Sequence, residues 1–150
     1  MDVHASLQAP CEPAALFAFV DDLARYPDWV DLVHRAEADD DGDGGDGGRP
    51  AWAVELRARL GPLARSKRLR MERTVHDTER HVAVFERVER DGRHHSPWVL
   101  RAEVVGDGEG SALHMHLHYG GALWTGGLME RALTDQITAG RERLSALVSA

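Results

Sequence analysis

Residues 98–119 read WVLRAEVVGDGEGSALHMHLHY, and the rest of the fold can be worked out from this stretch. On either side of the glycine-rich run at 106–110, apolar residues alternate with polar ones. This period of two is typical of strands with one buried face, and the glycines favour a tight turn. The predicted hairpin pairs Val104 with Leu113, Ala102 with Met115, Leu100 with Leu117 and Trp98 with Tyr119. The apolar faces coincide, which favours antiparallel pairing.

Three upstream segments alternate in the same way and extend the hairpin. Polar segments at 77–80 and 90–95 are placed to connect them as an antiparallel meander. The residues predicted to face inward are Trp52, Val54 and Leu56 on the first segment, Leu69, Met71, Arg73 and Val75 on the second, and Val82, Val84, Glu86 and Val88 on the third.

The N-terminal third predicts a strand, two short helices and a second strand. Residues 2–8 alternate with Val3 and Ala5 on the apolar side. Pro13 suits the first turn of a helix, and Asp21 and Asp22 are candidates for the cap of the next one. The second strand is expected from Trp29 to Ala38.

An acidic, glycine-rich segment at 37–50 contains almost no apolar residue, which favours a flexible loop inside one domain. Asp39, Asp41 and Asp43 resemble the start of a calcium loop. However, Pro50 occupies the twelfth position, where a bidentate Glu is required, so no metal site is predicted here.

The C-terminal residues predict a long amphipathic helix. Its apolar stripe comprises Trp124, Leu128, Leu133, Ile137, Leu144 and Leu147.

The segment PAALFAFVDDLARYPDWVDLV at 13–33, together with the order of elements, resembles the START and polyketide cyclase (SRPBCC) superfamily. The resemblance covers nearly the whole chain. It implies an α+β helix-grip fold, in which a seven-stranded curved antiparallel sheet wraps around the long C-terminal helix and two short helices follow the first strand. It also implies a cavity between sheet and helix.

The leading functional hypothesis is the binding of a hydrophobic molecule, lipid-like or aromatic and polyketide-like, in that cavity. The expected ligand-binding residues are Trp52, Val54, Leu56, Leu69, Met71, Val84, Glu86, Trp98, Leu100, Met115, Leu117, Trp124, Leu128, Met129 and Leu133.

An alternative is an enzyme similar to polyketide cyclases, aromatases or dehydratases. Arg73 would then stabilise an oxyanion, His95 would move protons, Ser96 would donate a hydrogen bond and Tyr119 would act as a phenolic acid. Arg73 and Glu86 are also expected to lie close enough for an ion pair. A third possibility is a protein-interaction subunit with a filled core.

Two clusters of polar residues admit simpler interpretations. His114, His116 and His118 alternate opposite the apolar face, so we expect a solvent-facing row and no metal site. The basic run containing Arg65, Lys67 and Arg68 is expected to fringe the cavity entrance or the outer face of the sheet as solvated surface charge. The alternative is that these charges attract an anionic ligand.

Composition limits the remaining options. With 150 residues, 43% of them hydrophobic, the chain fits a single domain at 1–150. A net charge of −7 argues against nucleic acid as a partner. No apolar run reaches the roughly 20 residues of a membrane span, and no signal sequence is evident, so a cytoplasmic protein is expected. We expect no cofactor, and a monomer or weak dimer.

Overall fold

The computed structural model describes residues 1–39, 48–60, 62–120 and 128–149. Its strands are β1 (Asp2–Ala9), β2 (Val33–Ala38), β3 (Ala51–Leu60), β4 (Leu63–Asp77), β5 (Val82–Arg87), β6 (Trp98–Asp107) and β7 (Gly110–Tyr119). Its helices are α1 (Pro13–Phe17), a 3₁₀ helix (Leu23–Asp28) and α2 (Leu128–Val148). The predicted order of elements is confirmed.

The strands form one antiparallel sheet in the order β1-β7-β6-β5-β4-β3-β2. β2 to β7 follow one another as a meander, and β1 pairs with β7 at the other edge. The sheet curls into a half-barrel against α2, which is the helix-grip arrangement of an α+β fold. Among the described residues, no helix has the length and apolar character needed to cross a membrane.

The β6–β7 hairpin has the predicted register. Trp98 pairs with Tyr119, and Leu100 pairs with Leu117. Two residues further along, Ala102 is fully buried opposite Met115. Alternation identified the buried face here because each strand has apolar residues on one face and mainly polar or small ones on the other.

β5 presents the opposite face to the one predicted. Ala83 and Phe85 are fully buried, whereas Val84 and Glu86 lie half-buried on the other side of the strand. The prediction that Val84 and Glu86 face the interior is therefore wrong. The run VAVF at 82–85 is apolar at every position, so alternation alone did not identify its buried face.

An irregularity in β4 accounts for the changed register. Arg73 pairs with Phe85, but Val75 pairs with Val84, so β4 contains one extra residue between these pairs. Because successive side chains alternate between faces, one extra residue reverses the faces that follow it. Val75, which was predicted to face inward, is 43% exposed.

β2 begins at Val33, four residues later than predicted. The backbone N–H groups of Trp29 and Val30 both donate to the carbonyl of Tyr26, which continues the helical turn past the 3₁₀ helix. Asp22 caps that helix, because its Oδ1 accepts from the N–H of Ala24 at 2.9 Å.

The apolar side of α2 packs against the sheet and the short helices. Ile137 and Leu144 are buried, and Leu133 packs against the same core. Leu147 was predicted on this stripe but is 37% exposed. Gln136 adds a polar attachment, because its Oε1 accepts from the N–H of Leu32 at 3.0 Å.

Candidate ligand-binding cavity

An apolar cavity of about 90 Å³ lies between the concave face of the sheet and α2. Strand residues predicted from alternation form much of its wall: Val54, Leu56, Leu69, Met71, Trp98, Leu100, Met115 and Leu117. Leu133 and Ile137 contribute from α2. The predicted location of a cavity and most of its strand-borne lining therefore agree with the structure.

The other lining residues are ones that were not predicted to line the cavity. They are Val3 and Ala5 on β1, Leu23 and Tyr26 on the 3₁₀ helix, Val30, Leu32 and Val33 around the start of β2, and Ile137 on α2. The alternation of Val3 and Ala5 was visible in the sequence. The alternation does not predict that β1 pairs with β7, and this pairing places Val3 and Ala5 opposite Leu117 and Met115.

Tyr26 brings a hydroxyl group to this apolar site. Its hydroxyl donates to the buried carbonyl of Val20 at 2.8 Å. Burial, followed by the negative charge of Asp21, raises the pKa of Tyr26. The phenol is therefore neutral at physiological pH, and its proton is directed at the protein backbone.

Trp98 connects the cavity with a more polar part of the concave face. Its ring lines the cavity and lies 5.2 Å from the ring of Tyr119, centroid to centroid. The ammonium of Lys67 lies 5.7 Å from the Trp98 ring centroid. The indole Nε1 is buried without a hydrogen-bond partner in the part of the chain that is described.

Arg73 lies on the concave side, as predicted, but its guanidinium binds other groups of the protein. Its Nη1 donates to the carbonyl of Asp21 at 2.9 Å, and its guanidinium lies 5.9 Å from the Trp52 ring centroid. The expected ion pair between Arg73 and Glu86 is wrong. Glu86 lies opposite Glu72 in the strand register, on the other face of the sheet.

The other predicted catalytic side chains lie at separate places. His95 is 2.8 Å from the Asp91 carboxylate in the connection between β5 and β6. The Ser96 hydroxyl oxygen lies 3.5 Å from Nη1 of Arg87, which also donates to the Ser96 carbonyl at 3.3 Å. The Tyr119 hydroxyl donates to the sulfur of Met1 at 2.8 Å. Together with Arg73, these residues do not converge on the cavity, and the described lining includes none of them.

Of the other predicted ligand-binding residues, Val84 and Glu86 lie on the outer face of the sheet, away from the cavity. Trp52 is buried beside the cavity, with its ring edge-on to Phe85 at a centroid distance of 5.5 Å. Trp124 lies outside the described residues, and so do the side chains of Leu128 and Met129.

The histidine row lies on the outer face of the sheet, as predicted. His116 and His118 contact the Asp2 carboxylate at 2.8 and 3.1 Å, and His114 contacts the Ser6 hydroxyl at 3.0 Å. His4 stacks on His116. Within the described ranges, no group of three or more potential ligands is arranged to hold a metal ion. Asp41 and Asp43 of the possible calcium loop lie outside those ranges.

A second depression, of about 530 Å³, lies on the outer side of β2, β3 and β4, where charged side chains of both signs line it. Arg70 anchors this region. Its guanidinium pairs with Glu72 at 2.6 Å and with Asp39 at 2.9 Å, and it donates to the carbonyl of Val88. Since these charges satisfy one another, the depression lacks the apolar character of the inner cavity.

The family described as polyketide cyclase / dehydrase and lipid transport matches residues 1–149. The chain belongs to this family. A search of curated proteins found no match to the sequence. The fold of this family member is, however, shared over nearly the whole chain with solved structures.

TTHA0849 from Thermus thermophilus is 18% identical, with a TM-score of 0.72 over 98% of this chain and 99% of that one. A START superfamily protein from Mycobacterium smegmatis is 14% identical, with a TM-score of 0.68 over 99% and 97%. DR_A0006 from Deinococcus radiodurans is 14% identical, with a TM-score of 0.65 over 97% and 98%. At these identities the similarity establishes the fold.

Proposed function

We propose that this protein binds a hydrophobic small molecule in the cavity between the sheet and α2. The observation that carries the proposal is the continuous apolar wall built from six strands, the 3₁₀ helix and α2. An apolar ligand gains about 25 cal/mol for each Å² removed from water, so such a wall favours its burial. Membership of a family whose description includes lipid transport supports the same conclusion.

The size of the cavity limits how a ligand enters. Sites for drug-sized molecules hold about 300–1,000 Å³, and the free volume here is about 90 Å³. A lipid or a polycyclic aromatic molecule therefore fits only if side chains of the cavity wall move apart. Met71 and Met115 lie in the wall, and their unbranched side chains adjust readily. The cavity expands around its ligand under this proposal.

The geometry favours binding over catalysis. The titratable side chain in the described wall is Tyr26, and its hydroxyl donates a hydrogen bond to the carbonyl of Val20. The candidate catalytic residues Arg73, His95, Ser96 and Tyr119 each make hydrogen bonds at a different place in the protein. A general acid or base has to reach the atom whose proton it transfers, and these groups do not share a position from which to do so.

A neutral fluorescent probe, N-phenyl-1-naphthylamine, tests the proposal. Its emission rises when it leaves water, so saturable enhancement with the wild-type protein is expected. Ala5 lines the cavity, so Ala5→Leu fills part of the free volume and should weaken binding about tenfold.

The same substitution at an exposed position provides the control. Ala53 lies on the outer face of β3, opposite Arg70. Ala53→Leu should leave probe binding within about twofold of wild type. If neither variant differs from wild type, the probe binds elsewhere and the cavity is not the site. Circular dichroism and thermal melting establish that both variants are folded.

A further inference from the structure

Lys67 places a charge on the concave face of the sheet. It pairs with Leu56 across β3 and β4 and lies two residues from Leu69, so the three residues share a face. Leu56 and Leu69 both line the cavity. Along a strand, two residues span roughly 7 Å, which sets Lys67 at the end of the apolar wall. Its neighbour Arg68 lies on the outer face and lines the charged depression.

The charges around Lys67 leave an excess of positive charge. Arg87 shares the concave face, because it pairs with Met71, and its Nε donates to Glu89 at 3.0 Å. The same Glu89 oxygen also accepts from the backbone N–H of Arg70. Within the described ranges, Lys67 has no carboxylate at ion-pair distance. Burial, followed by repulsion from Arg87, lowers the pKa of Lys67.

Trp98 links this cation to the cavity. It is 3% exposed, it lines the apolar wall, and the Lys67 ammonium lies over its ring. Its Nε1–H is a buried donor that lacks a partner in the described part of the chain. Buried donors are normally hydrogen-bonded, so an unsatisfied one beside a cavity calls for an explanation. A ligand oxygen would satisfy both this donor and the ammonium.

We propose that Lys67 and the indole N–H of Trp98 form the polar end of the ligand site, where they select apolar molecules that carry a carboxylate or phenolate oxygen at one end. This inference rests on the proposed function. The apolar body would lie in the cavity, and the oxygen would lie at the Trp98 end.

Two probes that share a naphthalene ring but differ in a carboxylate test whether the site recognises the oxygen of the ligand as well as its apolar part. Calorimetric titration with 2-naphthoate and with 2-methylnaphthalene measures both on the folded chain. Wild-type protein should bind the carboxylate at least tenfold more tightly. Lys67→Met, which keeps a long unbranched side chain, should remove this preference while leaving 2-methylnaphthalene affinity within twofold. Trp98→Phe removes the N–H donor and trims the wall, so both probes should bind more weakly, but 2-naphthoate should lose at least threefold more affinity than 2-methylnaphthalene.

Arg68→Met is the matched control, because it removes a charge from the adjacent residue on the opposite face. Both affinities should stay within twofold of wild type. Equal binding of the two probes by wild type, or an equal loss of both in Lys67→Met, would overturn the inference and leave the proposed function standing. If wild type binds neither probe, the proposed function fails and the inference fails with it.

Discussion

Gly140 of α2 lies directly against the backbone of Trp29. A Cβ atom built at position 140 would be 2.2 Å from the Trp29 carbonyl oxygen and 3.2 Å from the indole ring. Trp29 itself is fully buried. The absence of a side chain at Gly140 therefore lets α2 pack directly against the backbone of Trp29, at the end of the 3₁₀ helix.

Gly140→Ala should destabilise the protein by about 1–3 kcal/mol, because overpacking at a rigid backbone contact outweighs the gain in helix propensity. Equilibrium unfolding in urea measures the change. Thr138→Ala, at an exposed position of the same helix, should change stability by no more than about 0.5 kcal/mol. A stabilised Gly140→Ala protein would show that the helix has room to move.

The buried pair of Arg70 and Glu72 should contribute far more to stability than an exposed pair of the same kind. Their side chains are 10% and 6% exposed, whereas those of Arg101 and Glu103 are 45% and 31% exposed at a similar separation. Glu72→Gln leaves a buried cation partly unpaired and should cost about 3 kcal/mol. Glu103→Gln should cost less than about 1 kcal/mol. Similar losses in urea unfolding would contradict this distinction.

Tyr26 should resist ionisation until the protein unfolds in alkali. An unfolded tyrosine ionises near pH ~10, and burial raises the pKa of Tyr26 in the folded state. The raised pKa contributes stability that is fully present below the unfolded value and is lost as pH rises through the folded one.

Tyrosinate absorbance, measured alongside circular dichroism, tests this behaviour. The signal present in wild type and missing in Tyr26→Phe should appear together with the loss of secondary structure. Tyrosinate formation near pH ~10 in a protein that remains folded would contradict the assigned burial.

Hydrophobic alternation predicted the fold well where one face of a strand is clearly apolar. β6 and β7 meet this condition, and their predicted pairs Trp98–Tyr119 and Leu100–Leu117 are the observed ones. It failed at β5, where both faces carry apolar residues and β4 contributes an extra residue before Val75. A single inserted residue has no clear signature in composition, yet it reverses every side chain beyond it.

The candidate site was predictable to the same extent. Strand residues such as Met71 and Met115 could be assigned to the wall because their faces were known. Leu23 and Tyr26 could not, since their place depends on how the short helices dock under α2. For the polar residues proposed for catalysis, the sequence offers only the residue type and an expected position near the rim. The hydrogen bonds that hold Arg73 and His95 in place depend on tertiary structure.

The most direct test uses Ile137, the chain's only isoleucine, which lines the cavity from α2. With its δ1 methyl group labelled with ¹³C, the methyl signal reports on the cavity alone. Titration with N-phenyl-1-naphthylamine should move this signal saturably, with the same dissociation constant as the fluorescence enhancement, because an aromatic ring enters beside the methyl group. Saturable fluorescence with an unmoved Ile137 signal would contradict binding between the sheet and α2.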